Sequence, residues 1–232
     1  MPRIVVLGCG TGIGKTWVSV ALLQELARTG PALGLKPIES GIIDSAESPP
    51  AGSDAAALTR AGSLHVTQRH PLYGFEAAVS PHLAARSLGA EIELTAVVEW
   101  VQAAEHRVTP LVSSDIAIWT VLETAGGVFS PLSVHASNYD LALALEPAVW
   151  LLVAPDALGV LHEVSATLQA MRARGREPDH LVLSAARTAD ASTGSNAREL
   201  TALGIATPSA VLARDDQSGI AGLVRHLLNV AR

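Results

Sequence analysis

The stretch Ile4-Val5-Val6-Leu7-Gly8-Cys9-Gly10-Thr11-Gly12-Ile13-Gly14-Lys15-Thr16 decides how the chain folds. Four apolar residues in a row, ending in glycine, read as a short strand buried on both faces. Such a strand has no solvated side and so no apolar–polar alternation. From Trp17 to Arg28 the apolar positions Val18, Ala21, Leu22 and Leu26 recur at helical spacing, and Gly30-Pro31 ends the run. Between strand and helix lies a glycine-rich turn with five residues between Gly8 and Gly14-Lys15-Thr16, one more than the usual four. Glycines let successive N–H groups converge on phosphate oxygens, and the helix N-terminus adds positive potential. The residues Gly10, Thr11, Gly12, Ile13, Gly14, Lys15 and Thr16 are therefore expected to hold a nucleoside triphosphate. Lys15 would reach the β- and γ-phosphates from the solvent edge, and the Thr16 hydroxyl would ligate Mg²⁺.

Further strands are expected at Ala32–Leu35, Ala117–Leu122, Ala148–Val153, Leu181–Leu183 and Ala210–Leu212. Helices are expected at Leu94–Ala104, His162–Arg174, Asn196–Leu203 and Ile220–Val230, with another starting at Ser80-Pro81. Residues 41–52, rich in Ser, Pro and Gly, read as a loop. Strands alternating with helices imply an α/β fold with a mostly parallel sheet covered on both faces, organised as one P-loop NTPase-like domain over residues 1–232. A dinucleotide-binding turn is the rival reading. It leaves Lys15-Thr16 unexplained, and Lys36 stands where that fold needs an acid.

Composition narrows the function. Hydrophobic residues make up 49% of the 232 and charged residues 16%, enough apolar surface for a full core. Net charge is -6 and the 16 basic residues are scattered, so no nucleic-acid footprint exists. A single cysteine, Cys9, excludes an intrachain disulfide and fits a reducing compartment. The apolar run from Met1 is too short for a signal peptide, and Ala148–Ala154 falls far short of the ~20 residues that span a bilayer. A cytoplasmic protein without a membrane partner is expected.

Three side chains beyond the loop have placements that suggest chemistry. Lys36, before Pro37 at the carboxyl end of the second strand, points toward the phosphate loop, where ligands of open α/β sheets bind. Its ammonium could neutralise a moving phosphoryl group or an anionic substrate. Glu123 closes the strand before Thr124-Ala125-Gly126-Gly127, where an acid can hold Mg²⁺ or orient a nucleophile. Asp54, in Gly52-Ser53-Asp54, reads first as a helix cap. Ser80-Pro81-His82 reads as a cap beside an exposed histidine, and Glu39 and Asp115 read as surface.

Together these motifs resemble dethiobiotin synthetase, in order, over roughly residues 3 to 165. The family's five-residue phosphate loop is matched at Gly8 to Thr16. Its Lys-Pro-x-x-Ser-Gly appears as Lys36, Pro37, Ser40 and Gly41, its Ser-Asp as Ser53-Asp54, and its Ser-Pro-His as Ser80-Pro81-His82. Its Glu-Gly-Ala-Gly-Gly with a following Pro-Leu appears as Glu123 to Gly127 and Pro131-Leu132. At its Leu-Gly-x-x-Asn-His the chain has Leu158-Gly159-Val160-Leu161-His162-Glu163, and near its adenine-reading Asn-Asp it has Ser184-Ala185.

The resemblance implies an ATP- and Mg²⁺-dependent cyclo-ligase of biotin biosynthesis. It would convert 7,8-diaminononanoate and CO₂ to dethiobiotin through a carbamate and a carbamic-phosphoric anhydride. By this likeness Lys15 and Lys36 are catalytic, and Thr16, Asp54 and Glu123 surround Mg²⁺. Lys36, Ser40, Ser80 and His162 meet the substrate, Ser184 lies at the nucleotide base, and the protein is a homodimer. Loss of the adenine-reading pair implies that other nucleoside triphosphates also serve. A related P-loop ligase or kinase on another small substrate, a nucleotide-dependent switch and a degenerate paralogue are the alternatives. The switch class carries an extra Lys where Gly10 stands.

Overall fold

The structure, a computed structural model, describes residues 1–42, 48–213, 216 and 218–230. The chain begins with β1 (Arg3–Gly8), the glycine turn, α1 (Lys15–Thr29) and β2 (Ala32–Leu35). Then follow β3 (Ile38–Ser40), α2 (Asp54–Ala61), β4 (Tyr73–Phe75), α3 (Pro81–Ser87), α4 (Leu94–Val108) and β5 (Trp119–Glu123). The last third holds α5 (Asn138–Ala144), β6 (Val149–Pro155), α6 (Val160–Ala173), β7 (His180–Ser184), α7 (Asn196–Ala202), β8 (Ala210–Leu212) and α8 (Ser218–Val230).

Six strands form one parallel sheet in the order β2-β5-β1-β6-β7-β8. In register, Ile4 of β1 faces Val121 on one side and Val149 on the other. Alternate residues of β1 feed two apolar layers. Val5 and Leu7 pack with Val101, Leu141 and Val164 of α4, α5 and α6, whereas Ile4 and Val6 pack with Leu22, Leu58 and Leu223 of α1, α2 and α8. This two-sided burial is why the first strand carries no polar position.

The winding places the site. From β1 the chain steps out to β2, returns to β5 between them, then crosses to β6 on the far side of β1. Where the direction reverses, the carboxyl ends of neighbouring strands open a crevice. The ends of β1, β2 and β5 carry the phosphate loop, Lys36 and Glu123 into it.

The parallel sheet and its covering helices match the expectation, with ends shifted by a residue or two except at α4, which runs on past Ala104 to Val108. The short pair β3–β4, a second parallel sheet, was not expected, nor was α5. Of the loop expected over 41–52, positions 43–47 lie outside the described residues. Ser80 precedes α3, but its side chain does not cap the helix; its hydroxyl meets His82 Nδ1 at 2.9 Å. Among the described residues no helix is long and apolar enough to cross a membrane.

Candidate active site

The phosphate loop is held from both sides. Cys9 N–H donates to the Val153 carbonyl of β6 at 3.0 Å, and Val128 N–H donates to the Gly8 carbonyl at 2.7 Å. Gly14 sits at φ 92°, left-handed backbone that favours glycine, and a Cβ there would stand 2.8 Å from Ser184 Oγ. On the β5 side, a Cβ on Gly127 would stand 3.3 Å from the Cys9 carbonyl oxygen. Fully buried Asn138 fixes that approach by donating to the carbonyls of Ala125 at 2.6 Å and Gly127 at 2.8 Å.

Lys15 is folded over this loop, its ammonium donating to the Gly10 carbonyl at 2.9 Å. With 6% exposure it is not the solvent-edge lysine that its position suggests. Burial pushes its pKa down to about 8, against the opposing pull of Glu123.

The second lysine organises the carboxylates. Lys36 Nζ lies 2.5 Å from Glu123 Oε1 and 2.9 Å from Asp54 Oδ2. Thr16 Oγ1 donates to the same Glu123 Oε1 at 2.8 Å. Burial alone would lower the Lys36 pKa; the Glu123 and Asp54 charges outweigh it and hold the ammonium above its ordinary value. Burial likewise pushes Asp54 up, but Lys36 more than offsets it, so Asp54 lies below the usual carboxylate range. Thr16, Asp54 and Glu123, expected to converge, stand together around one ammonium.

Asp54 is not the cap of its helix. Ser53 Oγ accepts from Ala56 N–H at 3.0 Å, and the Glu39 carboxylate accepts from Asp54 N–H at 2.7 Å and Ala55 N–H at 3.0 Å. The free donors of the first turn of α2 are thus satisfied by other side chains, and the Asp54 carboxylate is released to Lys36. Glu39, expected at the surface, is buried, and burial raises its pKa despite those two N–H bonds. Asp115 is exposed, as expected.

A cavity of about 1020 Å³ opens over these groups, bounded by Thr11, Ser40, Ser80, Ser130, Ala185 and Arg187 among others. Ser40 Oγ is buried there and has no hydrogen-bond partner among the described residues. Ser184 and His162 lie elsewhere. Ser184 is wholly buried beneath the loop and donates its hydroxyl to the Ile13 carbonyl. His162 is exposed on α6 and does not line the cavity. Residues that sequence reasoning did not single out are Asn138 and His70; the latter accepts the Lys36 N–H at 2.8 Å.

The donor set fits Mg²⁺. Glu123 Oε2 is buried with no hydrogen-bond partner among the described residues, an orphaned acceptor on the carboxylate that meets Thr16 and Lys36. Among the described residues no group of three or more His, Cys, Asp or Glu side chains gathers to hold a metal. Two carboxylates and a hydroxyl, all oxygen, suit a hard cation that keeps several waters.

A phosphate cradle between β1 and α1, on a parallel sheet wound this way, defines a P-loop nucleotide-binding protein. Comparison with known proteins agrees. The family model described as "AAA domain" matches residues 2–214. Among solved structures the chain resembles the MinC:MinD cell division complex of Aquifex aeolicus (TM-score 0.55, 10% identity, 99% of this chain and 96% of that one). It also resembles a ParA family ATPase of Chlorobium tepidum (0.51, 13%, 99% and 91%). These show the fold alone. Among curated proteins it is 35% identical over 217 residues to an ATP-dependent dethiobiotin synthetase of Anaeromyxobacter dehalogenans, spanning 91% of this chain and 90% of that one. A protein of the same name from Caulobacter vibrioides is 33% identical over 190 residues, 79% and 80% of the two chains. The chain belongs to the dethiobiotin synthetase family.

Proposed function

We propose that the protein is an ATP- and Mg²⁺-dependent ring-closing ligase that makes dethiobiotin from 7,8-diaminononanoate and CO₂. The observation that carries this reading is the Lys36 ammonium, set between Asp54 and Glu123 at the mouth of the phosphate loop. A plain nucleotide hydrolase needs to orient only water. A second cation facing a large cavity suits an anionic acceptor of the phosphoryl group.

In this scheme one amine of the substrate adds to CO₂ and loses a proton, giving a carbamate. A carbamate oxygen attacks the γ-phosphorus, and the bond to the nucleoside diphosphate breaks. The second amine then attacks the carbamate carbon and gives up a proton, the carbon–oxygen bond to phosphate breaks, and the ureido ring closes. Lys15 and the loop N–H groups hold the phosphates. Lys36 neutralises charge on the carbamate and on the phosphoryl group in transit. The Ser40 hydroxyl, without a hydrogen-bond partner among the described residues, and Ser80, both at the cavity wall, orient the substrate. Thr16, Asp54 and Glu123 would hold Mg²⁺, which supplies further neutralisation of phosphate charge. Because His162 lies outside the cavity, its contact with substrate requires a second copy of the chain, and we take the enzyme to be a homodimer.

The test is phosphate release together with product mass. Phosphate should appear only when diamine and bicarbonate are both present, with one dethiobiotin per phosphate. Release at the same rate without either one would remove the ligase reading.

A further inference from the structure

Lys36 is the first residue after the β2 ladder, which pairs with β5 only as far as Leu35. Its N–H therefore needs a partner outside the sheet, and it finds one in His70 Nε2 at 2.8 Å. Because an N–H must donate, Nε2 carries no proton, and the neutral ring bears its hydrogen on Nδ1. Nδ1 lies 3.2 Å from Thr59 Oγ1, which in turn donates to the Ala55 carbonyl at 2.9 Å. The donors run one way, from Lys36 through His70 and Thr59 to the first turn of α2. That is the turn which begins at Asp54, the other half of the Lys36 ion pair.

The imidazole is itself fixed. It is 1% exposed and packs on Trp100 with ring centroids 5.5 Å apart, and Trp100 Nε1 donates to the neighbouring Arg69 carbonyl at 2.9 Å. His70 N–H donates to Ser48 Oγ at 2.7 Å. Burial pushes the ring's pKa down to about 4, in keeping with a neutral acceptor.

We propose that His70 is a positioning residue for Lys36: by holding the Lys36 backbone and the start of α2 together, it sets where the ammonium stands relative to Asp54 and Glu123. This rests on the ligase reading, in which Lys36 acts on the phosphoryl group. A core histidine that merely filled space would not require one tautomer, nor would its loss fall on chemistry more than on nucleotide binding.

Two measurements on the full chain test it. Long-range ¹H–¹⁵N NMR at neutral pH should show the His70 ring protonated at Nδ1 and bare at Nε2. In turnover, His70→Leu should lower kcat on the order of ten- to a hundredfold while the KM for nucleotide moves less than about threefold. His70→Gln, whose amide oxygen can accept the Lys36 N–H, should recover most of that loss. An Nε2-protonated ring overturns the proposal, as does a His70→Leu enzyme with unchanged kcat or a His70→Gln enzyme no better than His70→Leu. The NMR measurement needs no substrate and no variant. An Nδ1-protonated ring on a chain without ligase turnover would sink the ligase reading while supporting the His70–Lys36 link.

Discussion

Lys36 and Glu123 are 87 residues apart in sequence, yet Nζ and Oε1 meet at 2.5 Å because β2 and β5 are neighbours in the sheet and both side chains stand at carboxyl ends. Glu123 has no exposed surface, and its Oε1 meets that ammonium and the Thr16 hydroxyl. Removing one member of a buried pair strands the other, at a cost of ~3–5 kcal/mol. Lys36→Ala should therefore destabilise the fold as well as the reaction. We expect kcat to fall by about 10²–10³ with nucleotide affinity nearly unchanged, together with a lower denaturation midpoint. Equal losses in kcat and in affinity would make Lys36 a plain binding residue.

Lys15 gives a pH signature. With its pKa lowered to about 8 by burial, it is an ammonium below that pH and increasingly neutral above it. Phosphates prefer the charged form, so nucleotide affinity should be level below pH 8 and weaken above it by up to about tenfold per unit. Lys15→Arg, which stays charged, should lose that alkaline limb whatever its overall affinity. Titrations of nucleotide binding between pH 6.5 and 9.5 decide; a flat wild-type profile contradicts the burial argument.

Glu39 should matter although it touches neither the phosphate loop nor Lys36 in a hydrogen bond. Its carboxylate holds the N–H groups of Asp54 and Ala55, so Glu39→Ala leaves those two donors without their acceptor and Ser53 as the remaining cap of α2. The expected cost is ~1–2 kcal/mol in a urea melt, with a raised Mg²⁺ requirement as Asp54 loosens. Glu39→Gln, which keeps one acceptor oxygen, should fall between. An Ala variant with wild-type stability and metal dependence would reduce Glu39 to a spectator.

Base choice follows from Ser184. Its hydroxyl is spent on the Ile13 carbonyl, so it braces the loop and offers nothing to a base. A site without groups matched to adenine cannot strongly reject analogues. The ratio of kcat/KM between ATP and CTP or GTP should lie within roughly tenfold. A preference beyond about a hundredfold would mean that other groups of the cavity, among them Arg187, read the base.

What the sequence shows and hides follows from distance along the chain. The phosphate loop is legible because its logic is local: strand, turn and helix are contiguous from Ile4 to Arg28. Lys36 and Glu123 are legible because each ends a recognisable strand. Asp54 is ambiguous, since an acid at a helix start serves as a cap or as a ligand. The structure gives the capping to Ser53 and Glu39 and pairs the Asp54 carboxylate with Lys36. Nothing near Glu39 announces that it meets a helix 15 residues on, and His70 sits among residues with no periodic pattern. The pair β3–β4 has three residues per strand, too few for alternation to register. Helix α5 had a usable signal: Asp140 accepts the Ser137 N–H at 2.8 Å, the acidic half of a capping box written as Ser137-x-x-Asp140.

The central claim is that the phosphoryl group moves to a carbamate oxygen, and isotope transfer tests it most directly. Bicarbonate enriched in ¹⁸O would be mixed with enzyme, diamine, nucleotide and Mg²⁺, and the products analysed by mass spectrometry before exchange with water. If a carbamate oxygen attacks the γ-phosphorus and leaves with it at ring closure, each released phosphate carries one ¹⁸O from bicarbonate. Phosphate whose new oxygen comes from solvent water would show that water is the acceptor, and the role assigned to Lys36 and its two carboxylates would fail.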